Sequence, residues 1–213
     1  MIIRQLFPIS IYQNEVSFSD EVLAHLKSLR QNKIIRYGSH VGNISSDIQV
    51  LNHGICKSLK EQVQAGVDDF TLNYYKLKFD GNFFVHRSWV LENEPGHESL
   101  AHTHPNSVLS GVVYLDTPKG SGDTQFDKPE GYHNWINTDT IRFMAHEWNE
   151  CNSDDWHITP YAGGMLIFPS QLKHSVHINS TKKSRWSLSF DCFIEGFLDS
   201  GGPDTRGPRI TIG

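Results

Sequence analysis

Ala101-His102-Thr103-His104-Pro105-Asn106-Ser107-Val108-Leu109-Ser110-Gly111-Val112-Val113-Tyr114-Leu115 is the stretch on which the reading of this 213-residue chain turns. Side chains of an extended strand alternate faces, so His102 and His104 project to the same side and can reach one metal ion from a single strand end. Pro105 has no N–H to give to a ladder, so pairing stops where the two imidazoles project. Val108 to Leu115 then resumes as a short apolar strand. Two histidines before a turn form a weak signal alone, and their weight depends on what lies further along.

Two later segments supply it. Gly163-Gly164-Met165-Leu166-Ile167-Phe168-Pro169-Ser170-Gln171-Leu172-Lys173-His174-Ser175-Val176 is an apolar strand, a Pro-containing turn, and a histidine at the start of the next strand. Enough chain separates His102 from His174 for strands to return the second to the cavity of the first. Arg185-Trp186-Ser187-Leu188-Ser189-Phe190 then opens an alternating strand in which Arg185, Ser187 and Ser189 share one face. A buried arginine in a strand is costly unless paired. A carboxylate ligand held by both arms of the guanidinium is the usual partner.

Working outward, the chain divides near Gly81. After it come short β-rich runs at Phe83–Leu91, Val108–Leu115, Met165–Phe168, Ser175–Ile178 and Trp186–Phe193, separated by Gly, Pro, Asn and Asp. Before it, Ile2–Ile11 reads as an apolar strand, and Ser19 caps a helix with Val22, Leu23, Leu26 and Leu29 on one face. Gly38–Ser46 reads as a polar loop. His53–Leu77 reads as a second helix, whose stripe is Ile55, Leu59, Val63, Val67, Phe70 and Tyr74. Short strands following two helices predict a mainly β fold with packed helices, a sandwich or barrel. The expected organisation is one domain, with an N-terminal strand-and-helix elaboration over 1–80, a core over 81–199 and an irregular C-terminal extension over 200–213. A polar insertion over 127–160 carries Trp135, Trp148 and Trp156. It reads either as a lid or as an excursion held by its own aromatic residues.

Composition narrows the function classes. The 24 acidic and 19 basic residues give a net charge of -5, which leaves no cationic excess for nonspecific binding to nucleic acid. Mean hydropathy is -0.42, and no run approaches a membrane span. Cys56, Cys151 and Cys192 form no CxxC pair or disulfide framework, so a cytoplasmic setting is expected. Twelve histidines are the unusual count. Nine of them read first as surface or core residues, which leaves His102, His104 and His174 as the metal candidates.

The order HxH, SGVVYL, GxLIFPxxLxH and RxSLSF resembles the 2-oxoglutarate and Fe(II)-dependent oxygenase superfamily, with the match running from about Trp89 to Phe193. It is similar in particular to small oxygenases of marine bacteria and their phages, which would place the protein in a bacterial or host cytoplasm. The resemblance implies a double-stranded β-helix (jelly-roll, cupin-like) core. It implies Fe(II) held by His102 and His174, with 2-oxoglutarate as cosubstrate and its distal carboxylate on Arg185. Ser187 would assist, and Tyr114 is a further candidate for the same carboxylate. Trp89 and Asn106 would face the substrate. The implied reaction consumes O2, releases succinate and CO2, and hydroxylates a substrate the sequence does not name.

One position departs from the family. The usual motif is HxD, giving two histidines and one carboxylate, and here His104 stands where the carboxylate should be. Either His104 is a direct ligand, or a carboxylate such as Asp116 or Asp123 completes the site. Two other readings use the same residues. A three-histidine cupin-type iron dioxygenase would dispense with 2-oxoglutarate and with Arg185 in the cavity, and a non-catalytic jelly-roll binding module would hold metal without turnover. A homodimer is an expectation from fold analogy alone.

Overall fold

In the computed structural model the described residues are 1–3, 6–36, 40–78, 80–129, 144–202 and 205–211. Among the described residues, two antiparallel sheets are built from twelve strands. The strands are β1 (Tyr12–Glu15), β2 (Gln31–Arg36), β3 (His40–Ser45), β4 (Asp80–Asn93), β5 (Ser99–His102) and β6 (Leu109–Asp116). They continue as β7 (Thr124–Asp127), β8 (Asp155–Ile158), β9 (Gly164–Pro169), β10 (His174–Val176), β11 (Arg185–Gly202) and β12 (Thr205–Ile210). The larger sheet runs β1-β9-β6-β11-β4-β3-β2, with β12 added to β11. The smaller runs β5-β10-β7-β8. This is the mainly β, jelly-roll arrangement expected.

The two faces of the larger sheet carry different cores. Helices α1 (Asp20–Ser28) and α2 (Lys57–Asp68) cover the outer face. There Leu26, Leu59, Val63, Val67 and Phe70 are buried with Val90, Val113, Ile167, Leu188 and Phe190. The Ser19 hydroxyl caps α1 by accepting from the Val22 N–H. Between the sheets lies a smaller apolar cluster of Val112, Tyr114, Phe126, Leu166, Phe168 and Leu172. Alternation along β6 and β9 feeds both cores, which is why these strands read as continuous apolar runs.

Several elements differ from the sequence reading. The first strand is Tyr12–Glu15, not Ile2–Ile11. Phe7 has φ 61° and the next residue is Pro8, so the extended run is broken before it can pair, and Ile2, Ile3, Leu6 and Phe7 are exposed. The polar stretch expected as a loop contains β3, whose pairing with β2 extends the larger sheet. β3 lies between β4 and the edge strand β2, and its ladder hydrogen bonds leave no apolar run to read, so polarity there hid a strand. The second helix begins with 3-10 turns at Val50–Asn52 and Gly54–Cys56, and a π-helical segment, Asp69–Tyr74, follows α2. The described part of the C-terminal extension is not irregular, since β11 runs on to Gly202 and pairs with β12, with Gly196 opposite Ile210. Within the insertion, Asp155–Ile158 is a strand paired with β7; its residues 130–143, Trp135 among them, lie outside those described. Cys56 and Cys192 are buried free thiols. Among the described residues no helix is long and apolar enough to cross a membrane.

Candidate metal centre

The antiparallel pairing of β5 with β10 sets His102 directly opposite His174. Opposed residues share a face, so both imidazoles enter the space between the sheets, with ring centroids 4.4 Å apart. His104 lies past the end of β5, where its backbone N–H donates to Ser170 O at 2.9 Å. Its ring stacks on that of His102 at 5.1 Å and stands 5.1 Å from that of His174. One ligand nitrogen from each of the three lies within 4.8 Å of the others.

The three rings are oriented by a common device. His102 Nδ1 is 2.7 Å from Leu100 O, and His174 Nδ1 is 2.9 Å from Leu172 O. His104 Nδ1 is 2.6 Å from Asp191 Oδ1. Each acceptor fixes the N–H on Nδ1 and leaves Nε2 with its lone pair, the tautomer a metal requires. His174 is buried, and that burial, with the neighbouring His102, pushes its pKa down to about 3. It is therefore neutral at neutral pH.

Neither carboxylate considered as an alternative ligand reaches this set. Asp116 pairs with Lys27, and Asp123 belongs to a different cluster. The carboxylate appears instead behind His104. Asp191 is fully buried and accepts from Ser110 Oγ at 2.6 Å and Arg87 Nε at 2.6 Å, as well as from His104. Burial raises its pKa, but the His104 hydrogen bond, helped by Ser110 and Arg87, prevails and holds it below the usual carboxylate range. Asp191, Arg87 and Ser110 were missed in the sequence, although Asp191 continues the alternation of Arg185, Ser187 and Ser189 along β11. Trp89 is half-buried, its ring 5.9 Å from that of His104 and 5.3 Å from the Arg87 guanidinium. Asn106 is exposed at φ 65° in the turn after His104, a conformation asparagine tolerates.

The apolar cluster connects the histidines to Arg185. Phe168 and Phe126 pack against His174 at 4.7 and 6.1 Å. Tyr114 belongs to the same cluster, and the Arg185 guanidinium lies 5.7 Å from its ring. The Tyr114 hydroxyl is engaged with Thr124 Oγ1 at 2.7 Å. Arg185 is 2% exposed, yet its Nη1 donates only to Gly122 O at 3.2 Å and its Nε has no partner. Ser187 Oγ is also buried without a partner. Among the described residues no carboxylate lies within ion-pair distance of Arg185. A buried cation and a buried hydroxyl with spare hydrogen-bonding capacity fit an anionic ligand that supplies the missing acceptors. Three oriented imidazoles fit a divalent transition metal.

Residues 87–191 match a family model described as "Putative 2OG-Fe(II) oxygenase". No curated protein sequence matches the chain. Among solved structures, the fold is similar to the non-heme alpha ketoglutarate dependent epimerase SnoN from nogalamycin biosynthesis. The TM-score is 0.62 at 15% identity, over 95% of this chain and 91% of that one. A Pseudomonas putida prolyl-4-hydroxylase aligns with TM-score 0.54 at 14% identity, over 86% and 92% of the two chains. HygX from Streptomyces hygroscopicus, solved with nickel and 2-oxoglutarate bound, aligns with TM-score 0.56 at 11% identity, over 95% and 92%.

Proposed function

The chain belongs to the 2-oxoglutarate and Fe(II)-dependent oxygenase superfamily through residues 87–191, and on that premise we propose how its own residues carry the activity. His102, His104 and His174 hold Fe(II) through their Nε2 atoms. Arg185 holds the distal carboxylate of 2-oxoglutarate, with Ser187 Oγ donating beside it. Tyr114 forms the floor under the guanidinium rather than a carboxylate donor, because its hydroxyl is committed to Thr124. Trp89 and Asn106 border the mouth on the His104 side. The product of the proposed reaction is a hydroxylated substrate.

The observation that carries this reading is Arg185, a buried cation with an unpartnered Nε beside an unpartnered Ser187 hydroxyl. It also counts against a three-histidine dioxygenase that uses no 2-oxoglutarate, since such an enzyme has no need of an anion-binding group there. When bound, the iron and cosubstrate supply O2-dependent oxidation of a C–H bond, coupled to decarboxylation of 2-oxoglutarate to succinate and CO2. The protein supplies orientation and a dry wall. Leu100 O, Leu172 O and Asp191 hold the three Nδ1–H groups. Phe126, Phe168 and Leu172 exclude water beside His174. Asp191 restores, one hydrogen bond back, the negative charge that the HxD carboxylate would have brought to the metal.

The test is titration calorimetry of 2-oxoglutarate into the anaerobic Fe(II) protein. Saturable binding in the native chain, weakened by Arg185→Ala with iron retained, is expected. Equal binding to both proteins would remove Arg185 from the role.

A further inference from the structure

A second group of metal-ligating side chains lies on the outer face of the smaller sheet. Asp123 immediately precedes β7, His157 lies in β8, and His177 immediately follows β10. One ligand atom from each comes within 4.8 Å of the others. The register explains the convergence. His157 is opposite Gln125, and Gln125 is opposite Ser175, so these residues face away from the row of Trp156, Phe126 and His174. The outer cluster is therefore on the opposite side of the sheet from His174 and independent of the first site.

The two rings are already constrained. His177 Nε2 is 2.8 Å from Gln125 Oε1, and His157 Nε2 is 3.1 Å from Asp155 Oδ1. Oxygen acceptors at both Nε2 atoms place the N–H there and leave each Nδ1 as the lone-pair nitrogen. The rings meet edge-on, with centroids 4.6 Å apart and planes at 88°. The backbone is fixed as well, since His177 N–H donates to Asp123 O at 3.0 Å. Gly122 has φ 101°, and a Cβ there would fall 2.1 Å from His177 O, so this close approach requires glycine.

We propose that Asp123, His157 and His177 form a second divalent transition-metal site, which ties β7, β8 and the segment after β10 together. Two imidazoles and one carboxylate suit Zn²⁺, Co²⁺, Ni²⁺ or Cu²⁺ rather than Ca²⁺ or Mg²⁺, which take oxygen ligands. His157 is partly exposed, so solvent completes the coordination. The site also touches the cosubstrate side of the fold. Gly122, next to Asp123, supplies the carbonyl that accepts from Arg185 Nη1. A metal on Asp123 therefore steadies the turn against which Arg185 is braced.

Co²⁺ alone is the probe, with stoichiometry read by equilibrium dialysis and elemental analysis. The native chain is expected to bind two Co²⁺, His157→Ala one, and a His102→Ala/His174→Ala variant one. Adding His177→Gln to that double variant should leave none. His157 is exposed enough that its replacement leaves the fold intact, which circular dichroism checks. A native stoichiometry of one, unchanged by His157→Ala, overturns the second site. So does one Co²⁺ retained in the triple variant.

Discussion

His104 Nδ1 stands 2.6 Å from Asp191 Oδ1, and Asp191 is fully buried with Arg87 and Ser110 on its remaining lone pairs. In the proposed metal site the carboxylate thus stands behind an imidazole rather than facing the metal. The proposed ligand is then an imidazole, with the negative charge one hydrogen bond behind it.

Asp191→Asn keeps the shape and removes the charge. Losing such an outer partner typically lowers metal affinity about 10–100-fold. Fe(II) or Co²⁺ titration should show a loss in that range, with His104→Ala at least as damaging. Affinity equal to that of the native chain would make Asp191 merely structural.

Asp191 also shows how far the sequence was legible. The strands around the metal motif and the helix stripe from Leu59 to Phe70 follow from periodicity, while the three-histidine set follows from the HxH spacing taken together with the family resemblance. Asp191 does not, because its meaning depends on β11 lying beside β4 and β6, which brings Arg87 and Ser110 to it. The pairing of β2 with β3 was hidden for a related reason. Its stability comes from ladder hydrogen bonds at a sheet edge, which leave no apolar pattern. The Asp123–His157–His177 cluster joins three segments that only the smaller sheet makes adjacent.

Arg185 and Ser187 should separate in magnitude. Truncating one member of a buried charge pair costs about 2–5 kcal/mol, so Arg185→Ala should weaken 2-oxoglutarate at least tenfold while iron still binds. A neutral hydroxyl contributes roughly 1 kcal/mol, so Ser187→Ala should cost only a few-fold. Calorimetry on the anaerobic Fe(II) protein reads both. A larger loss for Ser187→Ala than for Arg185→Ala would reverse the assignment.

The metal-free protein should lose stability as pH falls. An unfolded histidine takes up its proton near pH 6.5, about the model-peptide value, whereas folded His174 resists protonation until about 3. Between these values the unfolded chain binds more protons. The stability held by neutral His174 is therefore complete above the unfolded pKa and declines as pH falls toward the folded one. Melting temperatures between pH 4 and 7 should fall on acidification, and His174→Gln should flatten that slope. An unchanged slope would contradict the burial argument.

Gly122→Ala should be destabilising and should disturb cosubstrate binding together. A non-glycine residue in this conformation costs about 1–3 kcal/mol, and the added Cβ meets His177 O. Because Gly122 O accepts from Arg185, 2-oxoglutarate affinity should fall with the melting temperature. A lowered melting temperature with full 2-oxoglutarate affinity would show that this brace does not matter to Arg185.

The most direct measurement is the visible absorption of the anaerobic protein with Fe(II) and 2-oxoglutarate added together. A weak charge-transfer band that requires both additions, is lost in His174→Ala and needs more 2-oxoglutarate in Arg185→Ala is the expected result. Iron bound at His102, His104 and His174 with no such band at any 2-oxoglutarate concentration would contradict the assignment of the site.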